Sequence, residues 1–454
     1  MSNVIKLKRG LNIKMSGMAK PEIGTVSRPD IFYVVPDHFA GITPRLDVKE
    51  GEQVKAGQSL FHDKRFTQMM FPAPVSGKVL AVNRGEKRKI MSISIEAERD
   101  VQYVHFDADI DKMNGEEIKQ LILRAGLWSY IKQRPYDCIA NPENQPKAVF
   151  VSAFSTAPLA PDYAFVLKDQ VQDLQAGLTA LSKMAGKEVN LNLQHGANNS
   201  LFHSLKNVVL TEFDGPHPVG NVGVQLNHLN PVNKGETVWT VNVQDVAVIG
   251  RLFTKGQVDL HRVVALTGPM CVEPKYYRVL PGTPLEKLFA GNAEKGVPVR
   301  YVAGDVLSGH QVEINEFVAP FDNQYTLIDD GSETHEFMGW IMPRLKTFSR
   351  NCSVPSAWLR CITKAEDYNY DARLLGGRRA IIVSGEYDKV FPMDIYPEYL
   401  IKAMIAGNID KMEQLGAYEV APEDFALPEY VCTSKMPLQA IVRKALDNMK
   451  QELE

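Results

Sequence analysis

The spacing of apolar residues changes period several times along this 454-residue chain, and those changes constrain the fold more than any short motif. From 46 to 97 the pattern is all strand and turn. LDVKEGEQVKAGQSLF carries turn signals at Gly51 and Gly57, and FPAPVSGKVLAV sets Val75, Gly77, Val79 and Ala81 on one face. MSISIEA alternates, which predicts Met91, Ile93, Ile95 and Ala97 inward and Ser92, Ser94 and Glu96 outward. From 101 to 258 strands and helices alternate. Asn114 and Glu117 form a capping box ahead of Ile118, Leu121, Ile122, Ala125 and Trp128 at helical spacing. AVFVSAF, EVNLNLQ and VVLTEF read as strands, residues 169–185 as a helix, and TVWTVNVQDVAVIGRLF mixes both periods. That order predicts an α/β domain with a largely parallel sheet.

Residues 259–315 return to strands. RVVALTG, a Gly268-Pro269 turn and KYYRVL make a hairpin, and VPVRYVAG is a further strand. Between them Thr283-Pro284-Leu285-Glu286 reads as a capping box with proline at the first helical position, opening a helix with Leu285, Leu288 and Phe289. Residues 316–395 are mixed. Residues 396–454 are helical, broken near Gly407, Gly416 and the proline-rich stretch 422–428. The expected fold class is therefore multidomain α/β and β, divided at 1–100, 101–258, 259–329 and 330–454.

Charge and cysteine usage exclude several functions. A net charge of −3 gives no general reason to expect nucleic acid or anionic lipid as a partner. Five cysteines without a C-x-x-C pair fit a reducing compartment better than a disulfide framework. The start MSNVIKLKRGLNIK lacks the apolar core of a signal peptide, and no run approaches the roughly 18 apolar residues of a membrane span. Any attachment to a membrane is then expected to run through protein partners.

The chain also lacks the usual devices of nucleotide and metal chemistry. It has no Gly-x-Gly and no Gly-x₄-Gly-Lys, so neither phosphate-binding fingerprint is present. Its ten histidines are scattered, and Cys352 and Cys361 are too isolated to suggest zinc. The densest polar cluster runs from Asp214 through His217 and Asn221 to His228. The Asp214–His217 spacing suits a general base with an orienting carboxylate, but a Pro/Gly-shaped loop held by its own hydrogen bonds is the favoured reading. His195 and His203 read as surface or satisfied core residues. The loop Ser152–Pro161 follows a strand and reads as a plain connection, with pocket lining as the alternative. No residue is assigned as catalytic, cofactor-binding or metal-binding.

Residues 418–446, YEVAPEDFALPEYVCTSKMPLQAIVRKAL, resemble an iron–sulfur cluster segment without its ligands. Setting Cys432 as the fourth cysteine of C-x₂-C-x₂-C-x₃-C-P puts Pro422, Phe425 and Pro428 at the other three positions. Ser434 is expected to cap the following helix with Pro437 in its first turn, and Leu438, Ile441, Val442, Ala445, Leu446 and Met449 share one face. Residues 46–97 similarly resemble the lipoyl/biotinyl-carrier (barrel-sandwich) fold. The position of the modified lysine falls on Phe66, with Lys64 and Arg65 out of register, so carrier chemistry is expected to be absent. The basic run Arg84–Lys89 reads as a solvated hairpin. R-V-x-A-L-T-G … P-G-T-P-L resembles the SLBB β-grasp domain, and 101–258 is Rossmann-like.

This order of domains, with GPHPVGNVGVQLNHLNPVNKGETVWTVN (215–242), VQDVAVIGRLFTKG (243–256) and YVCTSKMPLQAIVRKALD (430–447), resembles the family of A subunits of the Na⁺-translocating NADH:quinone oxidoreductases (Na⁺-NQR). That family is related to the flavoprotein subunit of complex I and to the C subunit of the Rnf complex. Those redox relatives carry a Gly-Gly-Ala-Gly-Phe-Pro loop for flavin and nucleotide. The corresponding stretch here is Gly126–Pro135, with one glycine and with Trp128 and Tyr130 where backbone should approach phosphate. The resemblance implies a peripheral subunit on the cytoplasmic side of the bacterial inner membrane, docked chiefly on the membrane-embedded B subunit. It implies no redox cofactor on this chain, quinone as a possible ligand, and NADH, flavins and metal centres on partner subunits. The alternatives are a self-contained flavin or iron–sulfur protein of Rnf type, or a soluble ligand-binding module.

Overall fold

The computed structural model describes residues 3–334, 337 and 368–453. The β-rich N-terminal domain faces a four-stranded sheet, in the order Ile31–Val34, Ile90–Ala97, Gly77–Arg84, Gln53–Val54, with a three-stranded sheet of Pro44–Leu46, Ser59–Asp63 and Met70–Pro72. Phe61 and Phe71 stack between the layers at 4.6 Å, with Phe39 edge-on. The alternation predicted for MSISIEA fails at one end. The ladder shifts register between Asn83 and Arg84, so Ile90 is buried and Met91 exposed. Ser92 and Ser94 are buried as well, bonded to Asn83 Nδ2 at 3.0 Å and to the Ala81 carbonyl at 3.3 Å. The Arg84–Lys89 run is an exposed hairpin, as its sequence implies.

A seven-stranded sheet organises the α/β domain, in the order Asn3–Lys6, Val208–Asp214, Val189–Gln194, Ala148–Ser152, Val238–Asn242, Lys132–Arg134, Cys138–Ile139. The first five strands are parallel and the last two antiparallel. The capping box forms: Asn114 and Glu117 exchange hydrogen bonds at the start of Gly115–Arg124. Trp128 lies beyond that helix, in a 3₁₀ turn, and is fully buried. The mixed-period run is a strand, Val238–Asn242, leading without a loop into helix Val243–Lys255. That helix packs against Val171–Ala185 so closely that a Cβ on Gly250 would fall 1.7 Å from the Asp173 carbonyl oxygen.

The third sheet runs His310–Val312, Val299–Ala303, Gln324–Asp329, Arg262–Thr267, Lys275–Val279, Lys20–Gly24. The predicted hairpin is its centre. The predicted capping box at Thr283 does not form: Pro284 occupies the cap position of helix Leu285–Phe289 and no side chain caps it. The N-terminal 24 residues thus serve two sheets outside the β domain, through Asn3–Lys6 and Lys20–Gly24.

The C-terminal region is helical: Pro397–Ile405, Ile409–Gln414, Ala426–Val431 and Leu438–Leu453. Stretch 422–428 is not a break, because Pro422–Phe425 is a 3₁₀ turn running straight into Ala426–Val431. Leu438, Val442, Ala445, Leu446 and Met449 bury one face of the last helix, and Ile441 sits at its edge. Ser434 caps nothing; its hydroxyl donates to the Ala380 carbonyl at 3.0 Å. Among the described residues no helix is long and apolar enough to cross a membrane. Cys352 and Cys361 lie outside the described residues.

Candidate functional site

Parallel strands end where ligands of α/β proteins usually bind. Here Ala148–Ser152 and Val238–Asn242 open at their C-terminal ends into a cleft of about 1360 Å³. The loop Ser152–Pro161 forms one wall, through Ser152, Phe154, Ser155 and Ala157, so it is more than a connection. The opposite wall comes from the β-grasp domain, at Asp305, Ser308 and Asp322. The floor is closed by the C-terminal region. Asn221 Nδ2 donates to the Glu423 carbonyl at 3.3 Å, at the start of helix Val222–Leu229. A Cβ on Gly223 would lie 2.4 Å from Asp424 Oδ2. A helix start that elsewhere receives a phosphate therefore meets the chain's own acidic turn.

Charges around this turn are interlocked, and Arg134 and Asp424 are buried. Arg134, almost wholly buried, pairs with Asp137 and, at 3.2 Å, with Glu423. Burial, with Glu423 alongside, pushes the Asp424 carboxyl up to about 7. Asp424 Oδ2 accepts from the Ala421 N–H at 2.9 Å, while Oδ1 has no partner among the described residues. Burial raises Asp245 to about 6 against the pull of Arg262, 3.2 Å away.

Asp214 and His217 do not meet as a dyad. Asp214 pairs with Lys6 at 3.6 Å. His217 is buried, with Nδ1 3.1 Å from Thr156 Oγ1 and its backbone N–H donating to Asn12 Oδ1 at 2.8 Å. Burial lowers its pKa to about 4, with Asp305 opposing. His217 is thus a neutral packing residue that ties the loop 214–221 to two other segments, while the loop also holds itself, through Val219 N–H to the Pro216 carbonyl at 3.0 Å, Asn221 N–H to the Pro218 carbonyl at 2.9 Å and Gln225 Nε2 to the Val219 carbonyl at 3.2 Å. His228 Nδ1 lies 2.9 Å from the Val224 carbonyl. His195 faces Glu212 at 2.6 Å on the surface, and His203 is exposed.

The Gly126–Pro135 stretch turns its large side chains inward. Trp128 Nε1 donates to the Ala140 carbonyl at 2.7 Å, and its ring meets Trp239 edge-on at 5.4 Å. Gly126 has φ +75° and a Cβ there would sit 2.4 Å from Pro72, so the glycine serves contact with the β domain rather than a phosphate. Phe66 lies half-buried at the hairpin after Ser59–Asp63, its N–H bonded to Asp63 Oδ2 at 3.1 Å. Cys432 is buried with Sγ 2.9 Å from the Tyr387 hydroxyl, and Phe425 packs on Phe391 at 5.1 Å. Among the described residues no group of three or more His, Cys, Asp or Glu is placed to hold a metal ion.

Sequence reasoning missed a second, narrow cavity where the β domain, the Gly126–Tyr130 turn and the β-grasp domain meet. Its walls are largely apolar: Val34, Phe39, Pro72 and Leu260 among them. Ser129 and His38 are among its polar lining residues. Ser129 Oγ is buried without a partner among the described residues, and burial lowers the pKa of His38, keeping the ring neutral. No sequence signal marks it, because its lining comes from segments up to nearly 290 residues apart.

Three family models match the chain: the NqrA N-terminal barrel-sandwich hybrid domain over residues 5–98, the NqrA second alpha/beta domain over 113–258, and the NQRA C-terminal domain over 263–313. The chain is similar to the A subunit of the Na(+)-translocating NADH-quinone reductase of Neisseria meningitidis serogroup C, at 33% identity over 99% of this chain and 100% of the relative. The corresponding protein of Yersinia pestis bv. Antiqua is 34% identical with the same coverage. A solved NAD+-reducing [NiFe]-hydrogenase aligns over 51% of this chain and 52% of its own at TM-score 0.35 and 14% identity, too distant to carry an argument.

Proposed function

Since the chain belongs to the NqrA family, the A subunits of the Na(+)-translocating NADH-quinone reductases, we propose that it is the peripheral, cytoplasmic-side subunit of such a complex. In this reading it carries no redox cofactor, docks chiefly on the membrane-embedded B subunit, and supports quinone reduction coupled to Na⁺ export. NADH oxidation, flavins and metal centres belong to partner subunits.

The observation that carries the reading is the apolar cavity with Ser129 and His38. A quinone head group is a flat ring with two carbonyl acceptors. An apolar slot with a hydroxyl unpartnered among the described residues and a neutral imidazole matches it in polarity. The cofactor-free part is supported by occupation: Asp424 stands at the start of helix Val222–Leu229, and the segment matching a flavin loop is folded inward around Trp128. Docking is supported by an exposed apolar patch. Ile382 and Val383 lie beside Tyr396 and Tyr399, because Glu398 accepts hydrogen bonds from the Ser384 and Gly385 N–H groups at 3.0 and 3.1 Å.

The test is quinone reduction by the reassembled complex carrying Ser129→Val. The expected result is a several-fold rise in the quinone KM with subunit content unchanged. An unchanged KM removes quinone contact from this chain. A stoichiometric flavin band on the purified chain removes the cofactor-free reading.

A further inference from the structure

A separate cavity of about 750 Å³ opens where the linker Val26–Pro29, the residues following the β domain, and the β-grasp domain converge. Arg28, Tyr103, His261 and Arg278 bring N–H and O–H donors to its wall, beside the smaller hydroxyls of Ser27 and Thr283. No carboxylate lines it among the described residues. The Arg28 guanidinium is held by the carbonyls of Arg99, at 2.7 Å, and Glu98, which fixes its position and leaves N–H groups over. His261 Nδ1 is committed to Asp259 at 2.7 Å, leaving Nε2 available. The negative charge of Asp259 is itself taken up by Arg251 at 3.1 Å and Lys255 at 3.0 Å. The Arg278 guanidinium and the Tyr103 hydroxyl make no hydrogen bond or ion pair among the described residues. Burial raises the Tyr103 pKa, so its hydroxyl stays a donor.

Much of the remaining wall is apolar, from Phe32, Pro74, Val101 and Leu280. Two guanidinium groups and a phenol converging beside an apolar wall are a recognition surface for an amphipathic anion. We propose that this cavity binds a phosphate ester with an apolar body. Its phosphate sits between Arg28 and Arg278 with the Tyr103 hydroxyl as a third donor, and its apolar body lies against Phe32 and Leu280. A lipid head group and a soluble phosphate monoester share this chemistry.

The experiment is calorimetric titration of the full chain with dihexanoyl phosphatidic acid below its micelle concentration and with 1-naphthyl phosphate. Inorganic phosphate and dihexanoyl phosphatidylcholine are the controls. Saturation at one ester per chain is expected, with inorganic phosphate at least about tenfold weaker, since a few buried CH₂ groups contribute that much. The tighter ester identifies the source. Arg278→Gln and Tyr103→Phe should each weaken binding about five- to tenfold, the range for losing a charge-assisted or neutral hydrogen bond. Both positions are partly exposed, so the fold survives, and an unchanged near-ultraviolet circular dichroism spectrum checks it. Absence of binding by both esters, equal binding of phosphatidylcholine, or binding that ignores both substitutions would overturn the proposal.

Discussion

His217 illustrates how a reactive residue type serves structure. Its ring is buried against Thr156, and the carboxylate nearest in sequence, Asp214, turns to Lys6 instead. Replacing His217 by Ala should lower quinone reduction by the complex only a few-fold, against the 10²–10⁴-fold typical of a lost general base. A thousandfold loss in a fully assembled complex would make it catalytic. Asp424 gives a pH signature with a definite sign. Its carboxyl titrates near 7 when folded and near 3.8 when unfolded. Between those values the folded state holds more protons, so this group's contribution falls as pH rises through the window. Asp424→Asn should therefore gain stability relative to the parent at pH 8, on the order of 1–3 kcal/mol for a buried unpaired charge, and little at pH 4. Denaturant midpoints at the two pH values check this, and an equal effect at both would refute it. His217, lowered to about 4 by burial, has the opposite slope between about 4 and 6.5, so the two substitutions separate cleanly.

At the scale of elements, the C-terminal helix Leu438–Leu453 closes the core that also holds Phe391, Leu400 and Phe425. Val442 is fully buried there and Ile441 only partly. Val442→Asp places an unpaired charge in that core and should release the helix and remove the chain from the complex; Ile441→Asp should do so less completely. Subunit content after affinity purification reads both, and full retention of the Val442→Asp chain would contradict the buried-face assignment. This face was legible because helical spacing is local. The same holds for the Asn114 capping box and for the strand-to-helix run 238–255. What failed depended on partners. Met91 faces outward because it is the extra residue of a bulge in its own strand, where the ladder passes from Asn83–Ser92 to Arg84–Ile90. Ser434 serves Ala380 rather than its own helix, and Pro284 takes the cap that Thr283 was expected to hold. The cavities were illegible for the same reason: each is assembled from segments whose contact no local period encodes.

For the whole molecule, the N-terminal segment is the most consequential feature. Asn3–Lys6 is the edge strand of the α/β sheet, in parallel register with Thr211–Asp214. Lys20–Gly24 is the edge of the β-grasp sheet, beside Lys275–Tyr277. Between them, the Leu11 N–H donates to the His217 carbonyl at 2.8 Å, the Gly10 N–H to the Lys389 carbonyl at 3.2 Å, and the Gly268 N–H to the Gly17 carbonyl at 2.9 Å. One extended segment, residues 3–24, thus bonds to the α/β domain, the β-grasp domain and the C-terminal region, although it carries almost no core of its own. Removing residues 1–24 should leave each domain's interior intact while uncovering two sheet edges. Uncovered edges are templates for pairing between chains. The truncated chain should therefore elute as soluble oligomers or aggregate, and the single unfolding transition of the parent should split as the domains uncouple. Size-exclusion chromatography and calorimetry of the two chains side by side provide the test. A monomeric truncated chain with one transition at the parental temperature would show that the domains hold one another without this strap.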